Sequence, residues 1–123
     1  MKQENKELLL KDLCARIPYG VIVCQVLDDG SYSGYRYVLR TDLEDLDSLR
    51  PYLRPMSSMT EEEREEFRTI GGIMSYSPQH DTWALSAIAP EAYDWLNAHH
   101  FDYRGLIEKG LAIEVTEENN PYN

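Results

Sequence analysis

The sequence predicts the α+β class, with a small antiparallel sheet of three to five strands, formed from two hairpins and packed by N- and C-terminal helices. Helical spacing of apolar residues occurs near both ends of the chain, whereas β-branched and alternating segments bounded by turn residues occupy its middle. A chain of 123 residues that is 42% apolar is long enough for one hydrophobic core but not for two domains. We therefore expect a single compact domain over residues 1–123.

The N-terminal segment has the apolar spacing of a helix. Leu10, Leu13, Cys14 and Ile17 share one helical face, and Pro18 ends the pattern. Charged residues interrupt the apolar core that a signal peptide needs, and no apolar run approaches the roughly 18 residues of a membrane helix. These features predict a cytoplasmic protein that has no membrane partner.

A first hairpin is expected between residues 21 and 40. The run VIVCQVL is apolar on both faces, as in a central strand, and after the turn DDGSYSG the segment GYRYVLR alternates Tyr35 and Tyr37 with charged or apolar residues. The next stretch, TDLEDLDSLRPYLRP, contains Pro51 and Pro55, which interrupt regular structure. It predicts one short helical turn followed by an extended loop.

The second half begins with the clearest local signal in the chain. Thr60 and Glu63 form a capping-box pattern at the start of a helix that Gly71 ends. GGIMSYSPQHDTWALSAIAP predicts a second hairpin around the turn SPQHD, and Pro90 opens a helix through PEAYDWLNAHHF. LAIEV predicts a short strand, and we expect the polar residues 117–123 to form a frayed tail.

The charge of the chain indicates which partners suit it. Twelve basic and 22 acidic residues give a net charge of −10, and nine carboxylates but only three arginines lie between Asp42 and Glu66. Such a field repels phosphate backbones, so no direct nucleic-acid binding is expected. A protein partner with a basic surface is the complementary expectation, although glutamate runs on a helix are often simply a solvated face.

Three residues near the C-terminus are candidates for catalysis: His99, His100 and Asp102. A helical metal pair needs the i, i+4 spacing, whereas adjacent histidines diverge by about 100°, so no metal ligand is assigned. His99 and Asp102 suit a hydrogen-bonded acid/base dyad, but no nucleophile accompanies them. A small metal-dependent or acid/base enzyme is therefore the alternative interpretation, and no cofactor is predicted, because glycine-rich phosphate loops are absent.

Two arginines flank a tyrosine in the segment RPYLRP. Arg50, Tyr52 and Arg54 are candidate binding residues, because two guanidinium groups suit an anion or a partner carboxylate. The alternative is that both arginines neutralise the carboxylates between Asp42 and Asp47. The nine tyrosines of the chain also suit an interaction face, since tyrosine is enriched at interfaces.

Three blocks carry a resemblance: KELLLKDLCARIPYGV, RPYLRPMSSMTEEEREE and DWLNAHHFDYRGLIEKGLAIE. Together they resemble a family of small uncharacterised proteins of gut anaerobic bacteria, often encoded in prophages or other mobile elements. The resemblance implies a compact cytoplasmic protein and assigns no residue a role. It adds Tyr103 and Arg104, polar residues of the third block, to the candidate binding residues.

A shorter segment, GLIEKGLAIEV, resembles the end of a recognition helix running into the wing of winged-helix proteins. A winged-helix-like nucleic-acid binder is thus a second alternative, which the acidic charge disfavours. The function that the sequence favours is a non-enzymatic acidic protein-interaction module, of the kind that a phage or mobile element carries as an accessory factor. No oligomeric state follows from the sequence.

Overall fold

The computed structural model of the protein describes residues 1–79 and 82–122, so the predicted turn residues His80 and Asp81 lie outside the described residues. Within this range, three α-helices and seven β-strands confirm the α+β class, and no helix is long and apolar enough to cross a membrane. The helices are α1 (Gln3–Arg16), α2 (Glu61–Thr69) and α3 (Pro90–Ala98). The strands are β1 (Ile22–Gln25), β2 (Arg36–Tyr37), β3 (Leu49–Pro55), β4 (Gly72–Ser77), β5 (Thr82–Ile88), β6 (Phe101–Asp102) and β7 (Ile113–Glu114).

The main sheet has five strands, in the order β2-β1-β3-β6, and β7 also pairs with β3. Strands β1 and β2 form the predicted first hairpin, and β4 and β5 form the second as a separate antiparallel pair. Strands β6 and β7 run parallel to β3, so the sheet is mixed and the prediction of an antiparallel sheet was wrong in this part. Parallel pairing requires a long crossover, and the chain between β3 and β6 provides it through α2, the second hairpin and α3.

The central strand β3 is the proline-containing segment that the sequence predicted to be a loop. Pro51 lies opposite Val23, whereas the Val26 amide donates to the Ser48 carbonyl at 2.7 Å. Hydrogen-bonded pairs alternate along an antiparallel ladder, so Pro51 occupies a position that donates no bond to β1. The missing N–H of proline therefore costs this ladder nothing, and the neighbouring Leu53 is fully buried in the core.

Helix α1 covers one face of the sheet. Its buried apolar residues are Leu9 and Leu13, which pack with β1 and β3, whereas Cys14 is exposed. The buried stripe is displaced from the predicted face and also contains Asp12 and Arg16, both fully buried. The displacement is possible because these two residues neutralise each other four positions apart on the helix.

A second apolar cluster joins α2, α3 and β6, and Phe67 of α2 is one of its buried members. The capping box at the start of α2 is confirmed, since the Glu63 amide donates to Thr60 Oγ1 at 3.1 Å and the Thr60 amide to Glu63 Oε1 at 3.0 Å. The ring of Phe67 lies directly over Gly72, where a Cβ atom would stand 2.3 Å from it. Only glycine allows this close approach of α2 to β4.

Tyr122 is packed against the sheet, whereas residues 116–119 are exposed. The Tyr122 hydroxyl accepts a hydrogen bond from the Ile22 amide at 2.9 Å and donates one to the Tyr52 carbonyl at 2.7 Å. Ile22 and Tyr52 are the next pair in the register of β1 and β3, so the hydroxyl bridges the ladder where direct pairing ends. This contact fixes one residue of the tail that polar composition predicted to be frayed, because composition does not reveal a partner for one half-buried tyrosine.

The segment from residue 106 to 110 is a turn. The Gly110 amide donates to the Ile107 carbonyl at 3.1 Å, and the Leu111 amide donates to the Leu106 carbonyl at 2.9 Å. It therefore does not contain the helix that the comparison with winged-helix proteins requires. Leu106 and Leu111 are instead buried in the cluster beneath α1.

Candidate functional site

The predicted pair of arginines around Tyr52 does not form an open anion site. Arg50 donates to the carbonyls of Leu49 at 2.7 Å and Asp47 at 3.1 Å, so it stabilises the turn before β3. Tyr52 is buried, and burial, together with the neighbouring Cys24 thiol, raises its pKa to about 12. The phenol is therefore a packed, neutral group of the sheet.

Arg54 is engaged by an internal carboxylate. Its two terminal nitrogens contact the two oxygens of Glu63 at 2.8 and 2.7 Å, and its guanidinium lies 4.1 Å from the centre of the Phe101 ring. The hydrogen bonds from Arg54 are the main reason that the pKa of Glu63 falls to about 2. Arg54 thus ties β3 to the start of α2 and does not neutralise the Asp42 region, where Arg36 binds Asp42 in a bidentate pair.

The two histidines after α3 lie in different environments. The His99 ring packs on Trp95 with the centroids 4.1 Å apart, and its Nδ1 is 3.8 Å from a Glu63 oxygen. The His100 ring stacks on Tyr122 at 3.7 Å, and its backbone has a positive φ of 64°. The two rings therefore do not converge on one ligand.

The side chain of Asp102 binds backbone amides. Its two carboxylate oxygens accept hydrogen bonds from the amides of Leu106 and Ile107, each at 2.9 Å, and its side chain is buried. These bonds close the turn that follows β6. The structure thus does not bring His99 and Asp102 together as a hydrogen-bonded dyad, and within the described ranges no cluster of three or more His, Cys, Asp or Glu side chains could hold a metal ion.

The burial of His100 predicts that the stability of the protein depends on pH. Burial, aided by the nearby Arg16, lowers the pKa of His100 from 6.5 to about 4, and its Nδ1 is buried without a hydrogen-bond partner among the described residues. Because the folded pKa lies below the unfolded value, protonation favours the unfolded chain, and the contribution is complete above pH 6.5 and lost as the pH falls towards 4.

We expect His100→Asn to remove this dependence, since asparagine tolerates a positive φ and does not titrate. Urea unfolding at a series of pH values between 6.5 and 4 should show a smaller loss of stability in the variant than in the unmodified protein. If the unfolding free energy fell equally with decreasing pH in both proteins, His100 would already be accessible to protons in the folded state. His99→Asn is the control, because it changes the adjacent ring and leaves His100 in place; a reduction in pH dependence equal to that of His100→Asn would contradict the assignment to His100.

Tyr103 and Arg104 lie at a polar cluster between α1 and α3 that sequence reasoning missed. The fully buried Asp12 accepts from Arg16 Nε at 2.7 Å and from Arg104 Nη1 at 2.8 Å. Arg16 Nη2 also donates to the Phe101 carbonyl at 2.5 Å. The available signal was the i, i+4 spacing of Asp12 and Arg16, although this spacing is also common on exposed helix faces.

One edge of the sheet exposes several large apolar side chains. We call this surface the tyrosine edge; it surrounds β2, which pairs with β1, and extends along the chain on both sides. The exposed fractions range from 47% to 68%. Its members are Leu27, Tyr32, Tyr35, Tyr37 and Leu39.

No family model, curated protein or solved structure matches this chain. The resemblance of the three sequence blocks to a protein family of gut anaerobic bacteria therefore stays a prediction.

Proposed function

We propose that the protein is a non-enzymatic acidic interaction module that binds a protein partner with a basic surface through the tyrosine edge. The observation that carries this proposal is the exposure of Tyr32, Tyr35 and Tyr37, at 57%, 60% and 68%. In keeping with the resemblance of the sequence, we further propose that it acts in the cytoplasm as an accessory factor of a phage or mobile element.

The tyrosine edge has the composition of an interface. Clustered apolar side chains on a protein surface mark binding sites, and tyrosine provides a large contact area with little conformational entropy to lose. Tyr35 is also held in place, because its ring packs edge-on against the buried Tyr52 with the centroids 6.1 Å apart. A partially fixed aromatic surface lowers the entropic cost of binding.

Charge complementarity defines the partner. The net charge is −10, and the exposed Asp28 and Asp29 lie in the turn beside the tyrosine edge. Lysine and arginine side chains of a partner gain from both features, because cations bind carboxylates and the faces of tyrosine rings. Glu61, Glu62 and Glu65 on the exposed face of α2 add to the field that attracts such a partner.

The catalytic alternative has less support from the same contacts. His99 packs on Trp95, His100 stacks on Tyr122, and Asp102 binds two backbone amides. Each candidate group is thus committed to a structural contact. A binding role requires none of them to be free.

The experiment begins with capture of a partner from the native host by the tagged 123-residue chain, followed by identification and purification of the partner. Titration of the purified partner should give an affinity that falls steeply between about 0.1 and 1 M salt, as the Debye length shrinks from about 10 to 3 Å. The double variant Tyr32→Ser/Tyr37→Ser should weaken binding at least about tenfold, because exposed tyrosines are frequent hot spots.

Tyr93→Ser is the matched control, since it removes a 40% exposed tyrosine from α3, away from β2 in the sequence. It should leave the affinity unchanged. Recovery of the chain alone, an affinity independent of salt, or equal losses in the control and the double variant would contradict the proposal.

A further inference from the structure

A cleft of about 460 Å³ lies between α1 and α3 and next to the segment after β6. Its size falls in the range of small-molecule sites. None of its lining residues is acidic, whereas three other clefts in the described part of the chain each include at least one carboxylate. In a protein with a net charge of −10, this local absence of acid distinguishes the α1–α3 cleft.

The charges of the cleft and of the ion-pair cluster joined to it through Arg104 are unbalanced. Lys11 and Arg104 line it, and Arg104 shares the buried Asp12 with Arg16. Two guanidinium groups therefore share one carboxylate, and Lys11 adds a third positive charge at the cleft, which leaves an excess of two positive charges among these four side chains. Lys11 forms no ion pair within 4.0 Å among the described residues.

The buried guanidinium also has an unused donor. Nη1 of Arg16 is buried and has no hydrogen-bond partner within the described ranges, although Arg16 is completely inaccessible to solvent. A single carboxylate cannot balance two guanidinium groups, so the environment favours a further negative charge. The excess matches the charge of a phosphate group near neutral pH.

Aromatic rings form the other wall of the cleft. Tyr93 and Tyr103 have centroids 5.4 Å apart and planes inclined by 56°, and Tyr93 is 40% exposed. The Tyr103 hydroxyl donates to Asn97 Oδ1 at 3.0 Å, and the Arg104 guanidinium lies 4.6 Å from the centre of the Tyr103 ring. These contacts hold Tyr103 in position, while the exposed Tyr93 ring offers a face for stacking.

We propose that the α1–α3 cleft binds a small ligand that carries both a phosphate group and a planar aromatic base, of the class represented by nucleoside monophosphates. Lys11 and Arg104 hold the phosphate, and the base stacks on Tyr93. The site is separate from the tyrosine edge, so the two proposals stand or fall independently.

Titration calorimetry of the 123-residue chain with each of the four ribonucleoside monophosphates tests this inference. At least one should bind with a dissociation constant below about 1 mM, and inorganic phosphate and the matching nucleoside should each bind at least about tenfold more weakly. Lys11→Glu should weaken nucleotide binding at least about tenfold, and Tyr93→Leu at least about fivefold, through lost ion pairing and lost stacking respectively.

Lys2→Glu is the matched control, because it makes the same change of charge nine residues earlier, about 13 Å along the helix axis. At physiological salt this distance exceeds the Debye length, so the control should bind nearly as well as the unmodified chain. Urea unfolding would verify that both lysine variants are folded. No heat of binding with any of the four nucleotides, equal losses in the two lysine variants, or equal affinity for inorganic phosphate and nucleotide would overturn the inference.

Discussion

Asp12→Ala should lower the free energy of unfolding by about 3–5 kcal/mol, as expected when one member of a buried ion pair is removed. Asp12 and Arg16 are both fully buried, and Asp12 is the carboxylate that contacts Arg16 and Arg104. Without it, Arg16 remains in the core as a charge with no counterion. Equilibrium unfolding in urea measures the loss directly.

Two further variants separate charge from packing. Asp47→Ala removes a carboxylate that is 54% exposed and paired with Lys6 at 3.5 Å, and should cost less than about 1 kcal/mol. The double variant Asp12→Leu/Arg16→Met replaces the buried pair with apolar groups and should recover much of the stability lost by Asp12→Ala. If Asp12→Ala and Asp47→Ala cost the same, the buried cluster would not be the electrostatic centre that its geometry indicates.

Phe67→Ala should cost about 3–5 kcal/mol, because it removes a large ring from a packed core. Phe67 is 1% exposed, and its ring lies 5.3 Å from that of Trp95. It is also the contact through which α2 packs over Gly72 of β4. The measurement is again urea unfolding. An unchanged m-value, which is the slope of the unfolding free energy against urea concentration, would show that the folded and unfolded states keep their compactness.

The control for Phe67→Ala is Ile73→Ala, which shortens an apolar side chain that is 49% exposed and should change stability by about 0.5 kcal/mol or less. Gly72→Ala adds a second test. It should cost about 1–3 kcal/mol in the unmodified protein by overpacking, and much less in the Phe67→Ala background, where the ring is absent. If the double variant lost as much stability as the two single variants added together, Phe67 and Gly72 would not be in contact in solution.

Local signals in the sequence predicted several elements correctly. The capping box of Thr60 and Glu63 starts α2, Pro90 opens α3, and both hairpins form. Each of these features depends on residues that are only a few positions apart. Interactions between such residues can form whatever the tertiary fold is. The candidate site residues were harder to interpret, because their partners are distant in the chain.

Arg54 illustrates this difficulty. Nothing near it in the sequence identifies Glu63 as its partner, and the same carboxylate already has a local role in the capping box. Similarly, His100 stacks on Tyr122, which is 22 positions away. Residues that looked available for chemistry are occupied by partners that only the packed chain brings close.

The sequence by itself determined the α+β class, the starts of α2 and α3 and the two hairpins, because capping, turn chemistry and short-range periodicity act locally. Tertiary structure alone decided that β3 is the central strand, since the position of Pro51 in the ladder depends on the register with β1. It also decided the parallel pairing of β6 and β7 and the burial of Asp12 with Arg16. These outcomes depend on contacts between distant segments, whose free energy exists only after the chain has closed the intervening loops.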